Sequence, residues 1–99
     1  MNMYAVIGRV SLKAGREQEA LAMIGERGVA MVQGMPGSVA GYWARTLAGE
    51  AIIQHSFWLF ETEADARSAE VIVNTLRNMP EAPAELVSVD VCEIVGRTP

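Results

Sequence analysis

Apolar positions alternate with other residues in four stretches of the chain and recur at helical spacing in two more. Met3 to Leu12 is rich in strand-forming residues and breaks at Lys13-Ala14-Gly15. From about Arg16 to Gln33, Ala20, Leu21, Ile24, Gly28, Met31 and Val32 fall near one helical face, with Glu17, Glu26 and Arg27 largely elsewhere. Gly25 and Gly28 each cost a helix about 1 kcal/mol relative to alanine. They mark either close packing on the sheet, the reading favoured here, or a locally weak helix. Gly34, Pro36 and Gly37 end the segment, because proline cannot continue a helix and glycine accepts the dihedrals of a sharp exit. A strand over about Ser38 to Leu47, the turn Ala48-Gly49-Glu50 and a strand over Ala51 to Phe60 predict a hairpin. Thr62, with Asp65 three residues on, resembles a capping box, and Ala66, Ala69, Ile72, Val73, Leu76 and Met79 form a stripe ending before Pro80. A polar loop over Glu81 to Glu85 leads to a last strand at about Leu86 to Val95.

This order, β-α-β-β-α-β, predicts an α+β, ferredoxin-like domain. Right-handed crossovers put both helices on one face of a four-stranded antiparallel sheet. Residue parity then sorts the strands. Even positions, facing the helices, collect Tyr4, Val6, Gly8 and Val10, then Ala40, Tyr42 and Ala44. They continue with Ile52, Gln54, Ser56, Trp58 and Phe60, then Leu86, Ser88, Asp90, Cys92 and Ile94. Odd positions collect Ala5, Ile7 and Arg9, then Val39, Trp43 and Arg45, then Ile53, His55, Phe57 and Leu59, then Val87, Val89, Val91 and Glu93. Neither set reads as a solvent face. The uncovered side would exceed the ~300–600 Å² of the largest apolar patch on a typical monomer. Its burial against a second copy contributes on the order of 10–20 kcal/mol gross, before association costs are subtracted. A face-to-face homodimer is expected, with Arg9, Arg45, His55 and Glu93 meeting as a charged cluster in the seam.

Composition narrows the function classes. Ninety-nine residues, 51% hydrophobic and 20% charged, suit a single domain over 1–99. The net charge is −4, with seven arginines and one lysine in no basic run, so a nucleic-acid partner is not expected. With no leader pattern and no apolar run near the ~18 residues of a bilayer span, the expectation is a cytoplasmic protein off the membrane. One cysteine, Cys92, and one histidine, His55, allow no internal disulfide and no closed zinc site within one chain. Neither a metal nor a cofactor is expected.

Three stretches carry a resemblance. Ile7-Gly8-Arg9-Val10 leads to Lys13-Ala14-Gly15-Arg16, Met35-Pro36-Gly37-Ser38 leaves the first helix, and Phe60-Glu61-Thr62-Glu63-Ala64 joins the third strand to the second helix. Together, in this order, they resemble the antibiotic biosynthesis monooxygenase family of the dimeric α+β barrel superfamily. The resemblance implies a pocket between helices and sheet that takes aromatic polyketides, haem or small signalling molecules. It also implies, for the cofactor-free oxygenases, deprotonation of an electron-rich phenol whose carbanion passes an electron to dioxygen. Their asparagine, tryptophan and tyrosine fall on Ser56, Phe60 and Ala66. The asparagine, tryptophan and histidine of the haem-degrading branch fall on Gly8, Phe60 and Glu70, and the cyclase histidine falls on Gln54. None of these sets is reproduced.

The residues themselves leave two readings at most positions. Tyr42, Gln54, Ser56, Trp58 and Phe60 are pocket candidates for a flat aromatic ligand; ordinary core packing and internal hydrogen bonds compete. His55, the one imidazole of the sequence, reads as a hydrogen-bonded residue of the seam rather than a base. Cys92 reads as a small buried hydrophobe, and Asp90 as a solvated or Arg77-paired carboxylate. The residues point to a small-molecule-binding protein, for which the resemblance implies cofactor-independent monooxygenation of an aromatic or polyketide-type substrate. The alternative is a non-catalytic ligand-binding or sensor dimer of the same fold. No residues are assigned to catalysis.

Overall fold

The computed structural model describes residues 2–49 and 52–98. Its order is β1 (Tyr4–Leu12), a first helical segment, β2 (Ser38–Arg45), β3 (Ile53–Phe60), α3 (Glu63–Asn74) and β4 (Ala84–Glu93). The strands pair antiparallel in the order β2-β3-β1-β4. This is the ferredoxin-like arrangement expected from the segment order. The predicted turn after β2 reaches Glu50 and the predicted third strand starts at Ala51, and both of these residues lie outside the described ones.

The first helix is divided. α1 (Glu17–Met23) passes into a π-helical turn (Ile24–Gly28) and then α2 (Val29–Gln33) without leaving right-handed helical dihedrals. The widened turn contains both glycines. At Gly28 an added Cβ would sit 3.8 Å from the Trp43 indole nitrogen, whereas at Gly25 it would meet nothing within 4 Å. A contact at that distance is an ordinary one, so close packing requires neither glycine, contrary to the reading favoured from the sequence. The exit uses Gly37 at φ +74°, and the Asp65 carboxylate occupies the place a Cβ would take there. Asp65 is fixed in turn by α3: the Thr62 hydroxyl accepts from the Asp65 amide at 3.1 Å and donates to its carboxylate at 2.9 Å. The expected cap is present, and it binds the exit of the first helix to the start of the second. Beyond Asn74 the chain tightens into a 3-10 turn (Thr75–Asn78).

The core lies between sheet and helices, where Val6, Val32, Trp58, Phe60, Ala66 and Ala69 pack together. Alanine at 66 and 69 lets α3 approach closely over Phe60. A smaller cluster of Leu12, Ala20 and Ala84 closes the other end. There Arg16 forms a two-pronged pair with Glu19 and donates to the Glu81 carbonyl, while Lys13 donates to the Pro80 carbonyl. These two cations hold the loop that leads into β4.

Each edge strand carries one extra residue. Ser38 pairs with Phe60 but Ala40 with Leu59, so Val39 bulges from β2. Likewise Val10 pairs with Leu86 but Arg9 with Ser88, so Val87 bulges from β4. A single inserted residue reverses which side every later side chain faces. Parity therefore holds along β1 and β3 and fails along most of β2 and β4. Tyr42 and Ala44 move to the uncovered face, and Trp43 and Arg45 to the helix face. Val89, Val91 and Glu93 join the helix side, while Ser88, Asp90 and Cys92 leave it.

Candidate functional site

Cross-strand register lays the helix-facing side out in rows. Arg45, Gln54, Val10 and Leu86 form one row; Trp43, Ser56, Gly8 and Val89 the next; Gly41, Trp58, Val6 and Val91 the third. Phe60 follows, level with Ser38, Tyr4 and Glu93. β3 thus runs through the middle of the face with three polar-bearing side chains in succession before Phe60.

Two of these side chains have unmet hydrogen-bonding capacity. Gln54 and Trp58 are each 5% exposed, and among the described residues Gln54 Nε2 and Trp58 Nε1 are buried without a partner. A buried N–H left unpaired costs about 1–3 kcal/mol, so two on one face of β3, in the first and third of these rows, call for an acceptor. Between them Ser56 donates weakly to the Gly8 carbonyl, at 3.5 Å. A Cβ at Gly8 would lie 2.9 Å from the Ser56 hydroxyl oxygen and would push that hydroxyl aside. Gly41 serves a similar end on the other flank, leaving room for the Trp43 ring, which lies 6.1 Å from that of Trp58 at 54°. Two indoles and two glycines make a broad, partly aromatic floor.

Phe60, fully buried, belongs to the core rather than to an open wall. Tyr42 is corrected: the Val39 bulge turns it away from the helices, and it is 64% exposed on the other face. The predicted charged cluster is divided for the same reason. Arg9 and His55 do sit opposite each other on the uncovered face, where His55 Nε2 lies 3.2 Å from the Thr46 hydroxyl. Arg45 and Glu93 lie on the helix side at opposite ends, and Glu93 accepts from Asn2 instead. Cys92 and Asp90 also lie away from the helices, level with Ala5 and Ile7.

Sequence reasoning did not single out Gln54 with Trp58 as a pair. The available signal was spacing. The asparagine and tryptophan positions implied by the resemblance are four residues apart at Ser56 and Phe60, and the same spacing recurs two residues earlier as a side-chain amide and an indole. Two grooves open beside this face. One of about 350 Å³, lined by Lys13, Leu76, Arg77, Met79, Glu85 and Leu86, reaches the Gln54 row at Leu86. The other, about 260 Å³, runs between α2 and β2 past Val32, Val39 and Trp43. Among the described residues no group of three potential ligands gathers to hold a metal, and no helix is long and apolar enough to cross a membrane.

The sheet and the helices that cover one of its faces define a ferredoxin-like α+β protein. The particular version is the fold of the antibiotic biosynthesis monooxygenases. A Chloroflexus aurantiacus protein assigned to them superposes with a TM-score of 0.64 at 17% identity, covering 98% of this chain and 97% of its own. A Nitrosomonas europaea protein of unknown function reaches 0.66 at 19% identity, covering 100% and 95%. A Streptomyces coelicolor monooxygenase solved with nanaomycin D gives 0.55 at 14% identity, covering 99% and 89%. No protein-family model and no curated protein matches the chain by sequence. At these identities the likeness establishes the fold, and activity has to be argued from the site.

Proposed function

We propose that this chain binds a flat aromatic molecule bearing carbonyl or phenol oxygens between its helices and sheet, as a face-to-face homodimer, and oxygenates it without a cofactor. One observation carries this reading: Gln54 and Trp58 present two buried, unpartnered N–H donors on the same strand face. Carbonyl and phenolate oxygens are the acceptors that such donors satisfy. Donors at a phenol oxygen also favour its ionised form, which is the species that gives an electron to dioxygen in the implied chemistry. In that reaction a ring CH2 becomes C=O, with one dioxygen atom entering the product and the other leaving as water. The nanaomycin D complex of the Streptomyces coelicolor neighbour supports the ligand class.

The dimer rests on the other face. There Tyr42, Phe57 and Ile7 form one row and Ala40, Leu59, Ala5 and Cys92 another, with Tyr42 and Phe57 exposed in the lone chain. A sheet face of this composition needs a cover, and a second copy supplies one by symmetry.

A second reading, binding without turnover, is favoured by the neighbours of the donors. Level with Gln54 are Arg45, Val10 and Leu86, and level with Trp58 are Gly41, Val6 and Val91. None of them is a general base at neutral pH. Calorimetric titration with an anthrone, followed by oxygen-electrode measurements, separates the readings. Saturable binding with oxygen uptake abolished in Trp58→Phe establishes the first. Binding with no uptake above the protein-free rate establishes the second, and no binding removes both.

A further inference from the structure

We propose that Arg45 and Gln54 form the carboxylate-binding end of this site, so that its ligand is an aromatic acid; this deepens the function proposed above and rests on it. The Val39 bulge brings Arg45 to the helix face, directly opposite Gln54 in the β2–β3 register. Side chains paired in this way have Cβ atoms about 4.5–5.5 Å apart, a separation that one carboxylate spans with an oxygen toward each. Gln54 Nε2 is buried with no partner. The guanidinium beside it is a planar fork matched to carboxylate geometry. The other residues of that row, Val10 and Leu86, are apolar, so nothing level with the pair competes for the anion. Among the described residues the ion pairs engage Arg16 and Arg67, and Arg45 takes part in none of them.

The geometry also sets the length of the ligand. Trp58 lies four residues beyond Gln54, about 13 Å along an extended strand. A carboxylate held at Arg45 and Gln54 and an oxygen held at Trp58 Nε1 therefore belong to opposite ends of a molecule two to three fused rings long. Arg45 is exposed at the end of its strand, so the charged end of the ligand lies toward solvent and the rings lie inward.

Calorimetry with 6-hydroxy-2-naphthoate and its methyl ester tests the assignment, because the two share the rings and the phenol and differ at one end, where the ester loses the charge and gains a methyl group. Wild-type protein is expected to bind the acid at least about tenfold tighter than the ester. Arg45→Met is expected to weaken the acid far more than the ester and so abolish that preference, and Arg45→Lys to restore part of it. Gln54→Leu is expected to weaken the acid more than the ester. Equal binding of acid and ester by the wild type, with both weakened by Trp58→Phe, would overturn the carboxylate end and leave the aromatic site standing. An acid preference that survives in Arg45→Met would also overturn it. Failure of both compounds to bind would remove the site and this inference together.

Discussion

Phe57 and Phe60 lie three residues apart on one strand and have opposite surroundings. Phe60 is fully buried against Val6, Val32, Ala66 and Ala69, whereas Phe57 is 41% exposed beside Ile7 and Tyr42. The contrast separates a face completed within the chain from one that lacks a cover. On the helix side the large apolar side chains are covered, and among the described residues what remains unmet there is polar: two N–H donors. On the outer side the unmet surface is apolar. The proposed ligand answers the first need with its acceptor oxygens, and the proposed second copy answers the other.

The largest expected effect falls on the completed face. Phe60→Ala removes a fully buried ring, and such truncations cost about 3–5 kcal/mol. Urea unfolding at a fixed protein concentration measures it. A loss below about 1 kcal/mol would mean that the ring is not part of the core.

Phe57→Asp comes next and probes the other face. A carboxylate in the centre of an apolar interface is costly to bury unpaired. The variant is expected to raise the dimer dissociation constant by about 100-fold or more, close to 2.7 kcal/mol. Sedimentation velocity should show one subunit's mass, with circular dichroism unchanged. A dimer that persists at the same concentration would place the interface elsewhere and undo the comparison.

The donor row gives a smaller effect of the opposite sign. Replacing an unsatisfied buried amide by an apolar group of similar shape removes a desolvation penalty. Gln54→Leu is thus expected to stabilise the protein by about 1 kcal/mol in the same urea series while weakening ligand binding. Stabilisation together with lost binding is the signature of a residue kept for function. Destabilisation would instead show that the amide has a partner in the free protein.

How far the fold was legible differs between inner and edge strands. β1 and β3 lie inside the sheet, with a partner on each side, and alternation alone assigned Arg9, His55, Gln54, Ser56, Trp58 and Phe60 to their observed sides. The segment order, the Thr62 cap and the proline-terminated helix were equally readable, because each depends on local chemistry. Tyr42, Arg45 and Glu93 were misassigned because Val39 and Val87 each insert one residue on an edge strand. A valine that bulges looks like a valine that pairs, since both are apolar and β-branched; only the partner strand's register distinguishes them. The π-helical turn was hidden similarly, the two glycines signalling an irregularity without its kind. The donor pair was visible as residue types, yet that its two nitrogens lack partners is a property of packing and could not be read from the chain.

The smallest effect belongs to the rim, far from both faces. Hydrogen bonding from Arg16 is the main influence on the Glu19 carboxyl and holds it below the ordinary carboxylate value, against a weaker opposing effect of desolvation. A group whose pKa is depressed by folding stabilises the native state only while ionised. Its contribution is complete above the unfolded value and disappears as pH falls through the folded one. Arg16 is shifted upward by the same hydrogen bond and stays charged throughout the acid range, so the pair's acid sensitivity is that of Glu19. Glu19→Gln is therefore expected to flatten slightly the decline of Tm between about pH 5 and about pH 3, with little change at neutral pH, because an exposed pair of this kind is weak. Differential scanning calorimetry across that range measures the difference. Parallel Tm profiles for wild type and variant would show that Arg16 acts through the Glu81 carbonyl alone, as a loop anchor rather than an ion-pair partner.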